Sequence, residues 1–322
     1  MPDNVTQSEG SDQRDALRPA TMPPHRVEAE RARKTRATAA ILLGATLLGF
    51  SAIFVKWAVA GGATILTVGF YRMLIALPGA WGLARRTGTL GAPRGRAWAL
   101  GAGVAFFLDL ALWHAAMHET SAANATLLVG GLSPLWVALF SFFVLGRRLA
   151  WLGWVGQLAG LAGALVLALA RGAHGGSGAG EAIAIAASFC YAGFTLALSR
   201  ARGTLNAPQA LFWTSLGCLA CFAVVAVAAG HPFGGYDARA WLSLLGLGLV
   251  VQLAGWWLNS WGLGHVEPAA GALSLQMQQV ATLFLAAWLL AEPLRPLGLL
   301  GGGLLVGGIV LVSLGGVSRK LA

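Results

Sequence analysis

Charge is what this sequence has least of. Only 11% of its 322 residues are Asp, Glu, Lys or Arg, where a water-soluble domain carries roughly 25%. That shortage excludes an ordinary water-soluble domain and makes lipid the solvent for most of the chain. Cysteine is scarce too. Cys190, Cys218 and Cys221 all lie within apolar runs. The Cys218/Cys221 pair has no second pair beside it, so small apolar packing is the main reading, with a metal or redox role as the lesser one. No Gly-x-x-x-x-Gly-Lys-Ser/Thr loop is present, which argues against ATP hydrolysis in this chain. There is no serine-nucleophile motif, no His-Glu-x-x-His helix and no intramembrane cluster of catalytic spacing. Enzymatic chemistry is therefore not expected. Residues 1–37 lack the apolar core of a secretory signal and read as a disordered cytoplasmic tail.

What is present is apolar: 57% of the residues are hydrophobic, and the mean hydropathy is +0.70. A helix needs roughly 20 apolar residues to cross a bilayer. Ten runs qualify, at 38–59, 64–84, 97–117, 122–145, 150–170, 181–199, 208–229, 240–262, 269–291 and 296–316. The sequence thus predicts an all-α integral membrane protein of ten transmembrane helices. The net charge of +10 is no nucleic-acid footprint. The first 37 residues hold seven basic and six acidic residues, and the remaining positive charge is scattered through short loops. With the N-terminus inside, fourteen Lys and Arg fall on inner segments and three on outer ones, Arg171, Arg239 and Arg295. By the positive-inside rule both termini face the cytoplasm.

The chain also repeats. Residues 134–170 match 279–315 at a constant shift of 145. Leu145 meets Leu290, Leu152-Gly153 meets Leu297-Gly298, Gly156 meets Gly301, and Gly163 meets Gly308. The repeat predicts halves at 38–171 and 181–316, followed by a cytoplasmic C-terminus at 317–322. Five spans is an odd number, so the second half enters the membrane inverted, a recurrent transporter design with its site near the midplane. Gly153, Gly156, Gly160 and Gly163 share one helical face, which reads chiefly as tight helix packing within the fold.

Charges inside spans are the candidate functional residues, since each costs roughly 2.5–3.5 kcal/mol to insert. Asp109, near mid-depth of its span, reads either as a proton-coupling or substrate-binding carboxylate or as a structural partner of Arg72 or Lys56. Arg72 either attracts an anionic group or neutralises Asp109. Lys56, near a span end, either snorkels or binds. Trp113 shares a helical face with Asp109 and lines the same wall. His114, with His118 and Glu119, has a spacing that metal sites use. Without further ligands it reads better as a polar lining residue or proton relay, and no metal is expected. Among the amides Gln252, Asn259, Gln276, Gln278 and Gln279, Gln278 is the chosen cavity residue. Trp98, Trp151, Trp154 and Trp241 read as an interfacial belt; Trp256, Trp257 and Trp261 lie deeper.

Several of these residues carry a family resemblance. Thr120-Ser121-Ala122-Ala123-Asn124-Ala125-Thr126-Leu127-Leu128, then Leu132-Ser133-Pro134 and Leu145-Gly146-Arg147-Arg148-Leu149, resembles the fourth span of the EamA-type drug/metabolite transporters. Gln278-Gln279-Val280 with Ala291-Glu292-Pro293-Leu294 resembles the family's "QPV … GEPL" signature. Gly49-Phe50-Ser51 to Lys56, Phe70-Tyr71-Arg72, and Asp109-Leu110 with Trp113-His114 also fit. Three positions depart from the pattern: Arg147 replaces a glutamate, Gln279 a proline and Ala291 a glycine. The resemblance implies ten helices in two inverted five-helix EamA repeats and movement of small metabolites or drugs across the cytoplasmic membrane, often outward. It implies no reaction and no bound cofactor. Transport is expected to be either proton-linked or facilitative, the bilayer and a small molecule are the expected partners, and a homodimer is left open. The alternative from another class is a non-transporting scaffold or sensor module.

Overall fold

In a bilayer every backbone N–H and C=O must be satisfied within the chain, and apolar Ala- and Leu-rich runs do this by forming helices. The computed structural model describes residues 24–145, 148–149, 151–172, 178–263, 277–292, 296–315 and 317–318, and these are overwhelmingly helical. In chain order the first half comprises α1 (Pro24–Gly49), α2 (Ser51–Ala60), α3 (Ile65–Arg86), α4 (Pro93–Glu119), α5 (Ala122–Leu145) and α6 (Trp151–Gly172). The second comprises α7 (Ala179–Arg202), α8 (Ala207–Ala228), α9 (Ala238–Leu245), a π-helical segment (Gly246–Gly255), α10 (Trp256–Leu263), α11 (Met277–Leu289) and α12 (Pro296–Gly315). A two-residue antiparallel bridge pairs Arg148–Leu149 with Val317–Ser318.

Among the described residues six helical stretches are long and apolar enough to cross a membrane: Thr35–Ala60, Ile65–Arg86, Pro93–Glu119, Ala179–Arg202, Ala207–Ala228 and Ala238–Gly262. Each covers one of the expected runs, with ends shifted by a few residues. The other four runs fall on α5, α6, α11 and α12. The first part of the run at 269–291, including Gln276, lies outside the described residues. So do 1–23 of the expected tail, Arg147, Pro293, Leu294 and the last four residues. Residues 24–37, read from the sequence as disordered tail, are helical and continuous with the first span.

Helix ends follow from local chemistry. Thr64 and Thr67 form a reciprocal capping box that starts α3, as Asn206 and Gln209 do for α8. Asp237 accepts from the Ala240 N–H at 2.7 Å to start α9. Each side chain satisfies N–H groups that have no partner within the first helical turn. Two interior irregularities matter more. The first span breaks at Phe50, and the freed Gly49 carbonyl accepts from Thr282 Oγ1 at 3.1 Å. The span at 238–262 runs ten residues as a π-helix.

The most extensive helix packing joins one half to the other: α4 on α7 and α8, α6 on α12, α3 on α8, and α10 and α11 on α1. Glycines permit the close approaches. A methyl group at Gly308 would lie 2.5 Å from the Gly156 carbonyl and 2.6 Å from the Gly160 nitrogen. The repeated glycine faces of α6 and α12 therefore meet backbone to backbone. Gly103 packs on the Thr214 carbonyl, and Gly217 on that of Leu100. By contrast, Gly298, Gly303 and Gly307 meet nothing within 4 Å.

Candidate functional site

Arg72, on α3, points into the bundle and is only 3% exposed. Its Nε donates to Gln252 Oε1 at 3.0 Å, and its Nη1 to Ser51 Oγ at 2.9 Å. Its guanidinium lies 5.9 Å from the ring centre of Phe106. Both acceptors stand at the backbone irregularities: Ser51 is the first residue after the break at Phe50, and Gln252 sits in the π-helical segment. A π-helix re-aims side chains by widening the turn and is frequent at functional sites. Gln252 Nε2 in turn reaches toward Ser215 Oγ of α8 at 3.5 Å.

Asp109, on α4, is equally buried at 3%. Arg72 is close enough for the two charges to act on one another. Even so, among the described residues Asp109 Oδ1 has no hydrogen-bond partner. Arg72 spends its hydrogen bonds on neutral oxygens instead. A buried carboxyl oxygen without a donor costs free energy that a purely structural carboxylate would recover through its partner.

Trp113 and His114 follow on the same helix and are buried. His114 Nδ1 lies 3.2 Å from the Ile65 carbonyl oxygen. A carbonyl only accepts, so this nitrogen carries the proton. Nε2 is buried without a partner. Lys56 stands elsewhere. Its ammonium donates to Glu292 Oε1 at 3.2 Å, and the same oxygen accepts from the Ala122 N–H at 2.9 Å. Glu292 thus joins α2 to the N-terminus of α5, where the helix dipole favours an anion. Thr120 Oγ1 donates to Glu181 Oε1 at 3.0 Å at the same end of the bundle.

The ninth-span amides differ from the sequence choice. Gln278 is half-buried, whereas Gln279 is 7% exposed and packs on Gly130. Its Oε1 has no partner among the described residues. Adjacent helical residues point 100° apart, so the two amides face different surroundings. Reading the sequence for charge also passed over Ser51, Ser215 and Phe106, whose side chains are ordinary in apolar helices. No group of three or more His, Cys, Asp or Glu is placed to hold a metal ion among the described residues.

Next to Gln252 lies a small cleft, partly open to the exterior. It reaches from Arg202 and Ala207, at the α7–α8 turn, inward to Gln252 and Phe106. Three rings wall it. Phe106 and Phe194 stack with centres 4.6 Å apart, and Trp256 stands edge-on to both at 6.1 and 5.9 Å. The cleft opens at the end of the bundle opposite Lys56 and Glu292. Gln252 connects it to Arg72, since the residue both lines the cleft and accepts from the guanidinium.

A solved crystal structure, described only as that of a protein, is similar to this chain at 24% identity with a TM-score of 0.61. The match covers 87% of this chain and 97% of that one and bears on the fold alone. No curated protein matches the sequence. The model of the EamA-like transporter family matches twice, over residues 35–169 and 178–314. The two matches are the two halves that the glycine register marks out, and together they take in nearly every described helix. The chain is a multi-pass membrane protein and belongs to the EamA-like transporter family.

Proposed function

We propose that the protein is a secondary transporter in which ten spans form two inverted five-helix repeats. It moves a small metabolite or drug-like molecule outward across the cytoplasmic membrane by alternating access. Both termini face the cytoplasm, as the distribution of Lys and Arg favours. On that orientation the cleft beside Gln252 opens to the cytoplasm, and the Lys56–Glu292–Ala122 junction closes the outer end. The observation that carries the reading is Asp109: a buried carboxyl whose Oδ1 has no partner, within electrostatic reach of Arg72. A group whose charge no partner fixes can change its protonation during a cycle. Arg72, anchored at two helix irregularities, would then transmit that change to both halves. Trp113 and His114 continue the same wall of α4, and the half-buried Gln278 faces the path in other states of the cycle.

The test is a comparison of spent medium from cells making wild type or Asp109→Asn at equal membrane levels. A compound enriched outside with wild type, and at least tenfold less so with the variant, is the expected outcome. Export that persists unchanged in Asp109→Asn would remove the coupling role. If no compound accumulates, none is taken up, and none stabilises the purified protein, the scaffold or sensor reading prevails.

A further inference from the structure

The chemistry of the cleft restricts what it can hold. Thr214 is 4% exposed, and among the described residues its hydroxyl has no hydrogen-bond partner. Trp256 Nε1, also buried, is likewise without one. An indole N–H only donates, so its missing partner must be an acceptor. The cation at the mouth is Arg202, which is exposed and brings up to five donors. Among the described residues no carboxylate lines the cleft. A ligand ammonium would therefore find nothing to pair with there.

An aromatic wall by itself can suit a cation. Here that option is already taken. The Arg72 guanidinium lies near the Phe106 ring at 5.9 Å and presents a second positive charge behind the wall. Arg72 is held only by the neutral oxygens of Ser51 and Gln252. Asp109 lies within electrostatic reach of Arg72 and offsets part of its charge, so the main penalty for a cationic ligand comes from Arg202 at the mouth. The rings Phe106, Phe194 and Trp256 instead favour a flat apolar body.

We propose that the cleft binds small aryl or similarly flat apolar anions, with the apolar body against the wall of Phe106, Phe194 and Trp256 and the acidic group toward Thr214 and Arg202. This assignment rests on the transport reading above for its meaning, but its test is separate. Purified full-length protein is titrated with matched probes: phenylacetate and 3-phenylpropanoate against phenethylamine and 3-phenylpropylamine. Binding is read by thermal stabilisation and by calorimetry. The carboxylates should bind at least tenfold more tightly than the amines of equal length. Arg202→Gln and the near-isosteric Thr214→Val should each weaken carboxylate binding about five- to tenfold. Neither change disturbs the aromatic wall, and Arg202 is exposed, so folding is expected to survive; the unliganded melting temperature checks it.

Amines binding as well as carboxylates, carboxylates failing to bind, or variants binding like wild type would each overturn the assignment. If the carboxylates fail while wild type, but not Asp109→Asn, still exports some other compound, transport stands and only the anion preference falls.

Discussion

The α6–α12 contact and the polar interior around Arg72 are both built from equivalent parts of the two halves, but in opposite ways. At α6–α12 the halves are alike. Glycines in the same register meet, and Gly308 rests on the backbone of Gly156 and Gly160. Around Arg72 they differ. α4 is an unbroken α-helix that carries Asp109. Its counterpart, Ala238–Gly262, breaks into a π-helix and carries Gln252. One helix holds a charge with an unpartnered oxygen; the other holds an amide engaged with Arg72. Packing needs only small residues and tolerates symmetry. A site that must bind an asymmetric molecule gains from halves that have diverged.

Breaking the divergent region should have the largest effect on stability. Gln252→Leu keeps the apolar volume but leaves Arg72 Nε without its acceptor in a site that is 3% exposed. Stranding a hydrogen-bond donor of a buried charge costs about 3 kcal/mol. A large drop in the midpoint of unfolding is expected, together with lost transport. Gln252→Glu should restore stability, because a carboxylate accepts from the guanidinium. Equal midpoints for Gln252→Leu and wild type would mean that the π-segment does not anchor Arg72.

The symmetric region should break less severely. Gly308→Ala places a methyl 2.5 Å from the Gly156 carbonyl, and neither backbone can yield without parting α6 from α12. Overpacking of this kind costs about 2 kcal/mol. Gly303→Ala, on the same helix with nothing within 4 Å, is the control and should be near neutral. A chemical-denaturation midpoint in one detergent compares the two. Similar losses in both would point to helix flexibility rather than to the glycine contact.

A third change moves the second half back toward the first. Just past the end of α11 stands Ala291, whose φ of +52° is the left-handed region that glycine adopts freely. The Glu292 N–H closes the turn on the Ala286 carbonyl at 3.3 Å. The equivalent position in the first half is Gly146. Ala291→Gly relieves the side-chain strain and should raise stability by about 1 kcal/mol, seen as a higher melting temperature. A fall instead would show that the alanine side chain does more than fill the turn.

How much of this was legible beforehand depended on the physics involved. Insertion into lipid is set by local hydropathy, so the long spans could be read to within a few residues. The cost of burying a charge singled out Arg72 and Asp109 without any structure. Partners were another matter. Lys56 and Glu292 are 236 positions apart, and no local pattern joins them. Ser51 and Gln252 matter because of a break at Phe50 and a π-helix, and neither has a strong signature in residue type. The departure at Ala291 was visible as a missing glycine, but its meaning needed the backbone angle. Gln279 lost to Gln278 in the sequence because motif position does not say which of two neighbouring amides turns inward.

The smallest expected change in stability belongs to the residue with the largest expected role. Asp109→Asn replaces a carboxyl whose Oδ1 has no hydrogen-bond partner among the described residues with an amide of nearly the same shape. There is no hydrogen bond to lose, and a buried ionisable group is removed. The unfolding midpoint should therefore stay within about 0.5 kcal/mol of wild type, while transport falls at least tenfold. That separation is what distinguishes a coupling carboxylate from a structural one. A structural carboxylate would lose stability and transport together, because its partner would be left buried and alone. Measuring both on the same preparation decides between them. A drop of about 2 kcal/mol or more would assign Asp109 to holding Arg72 in place and would move the coupling step to another residue.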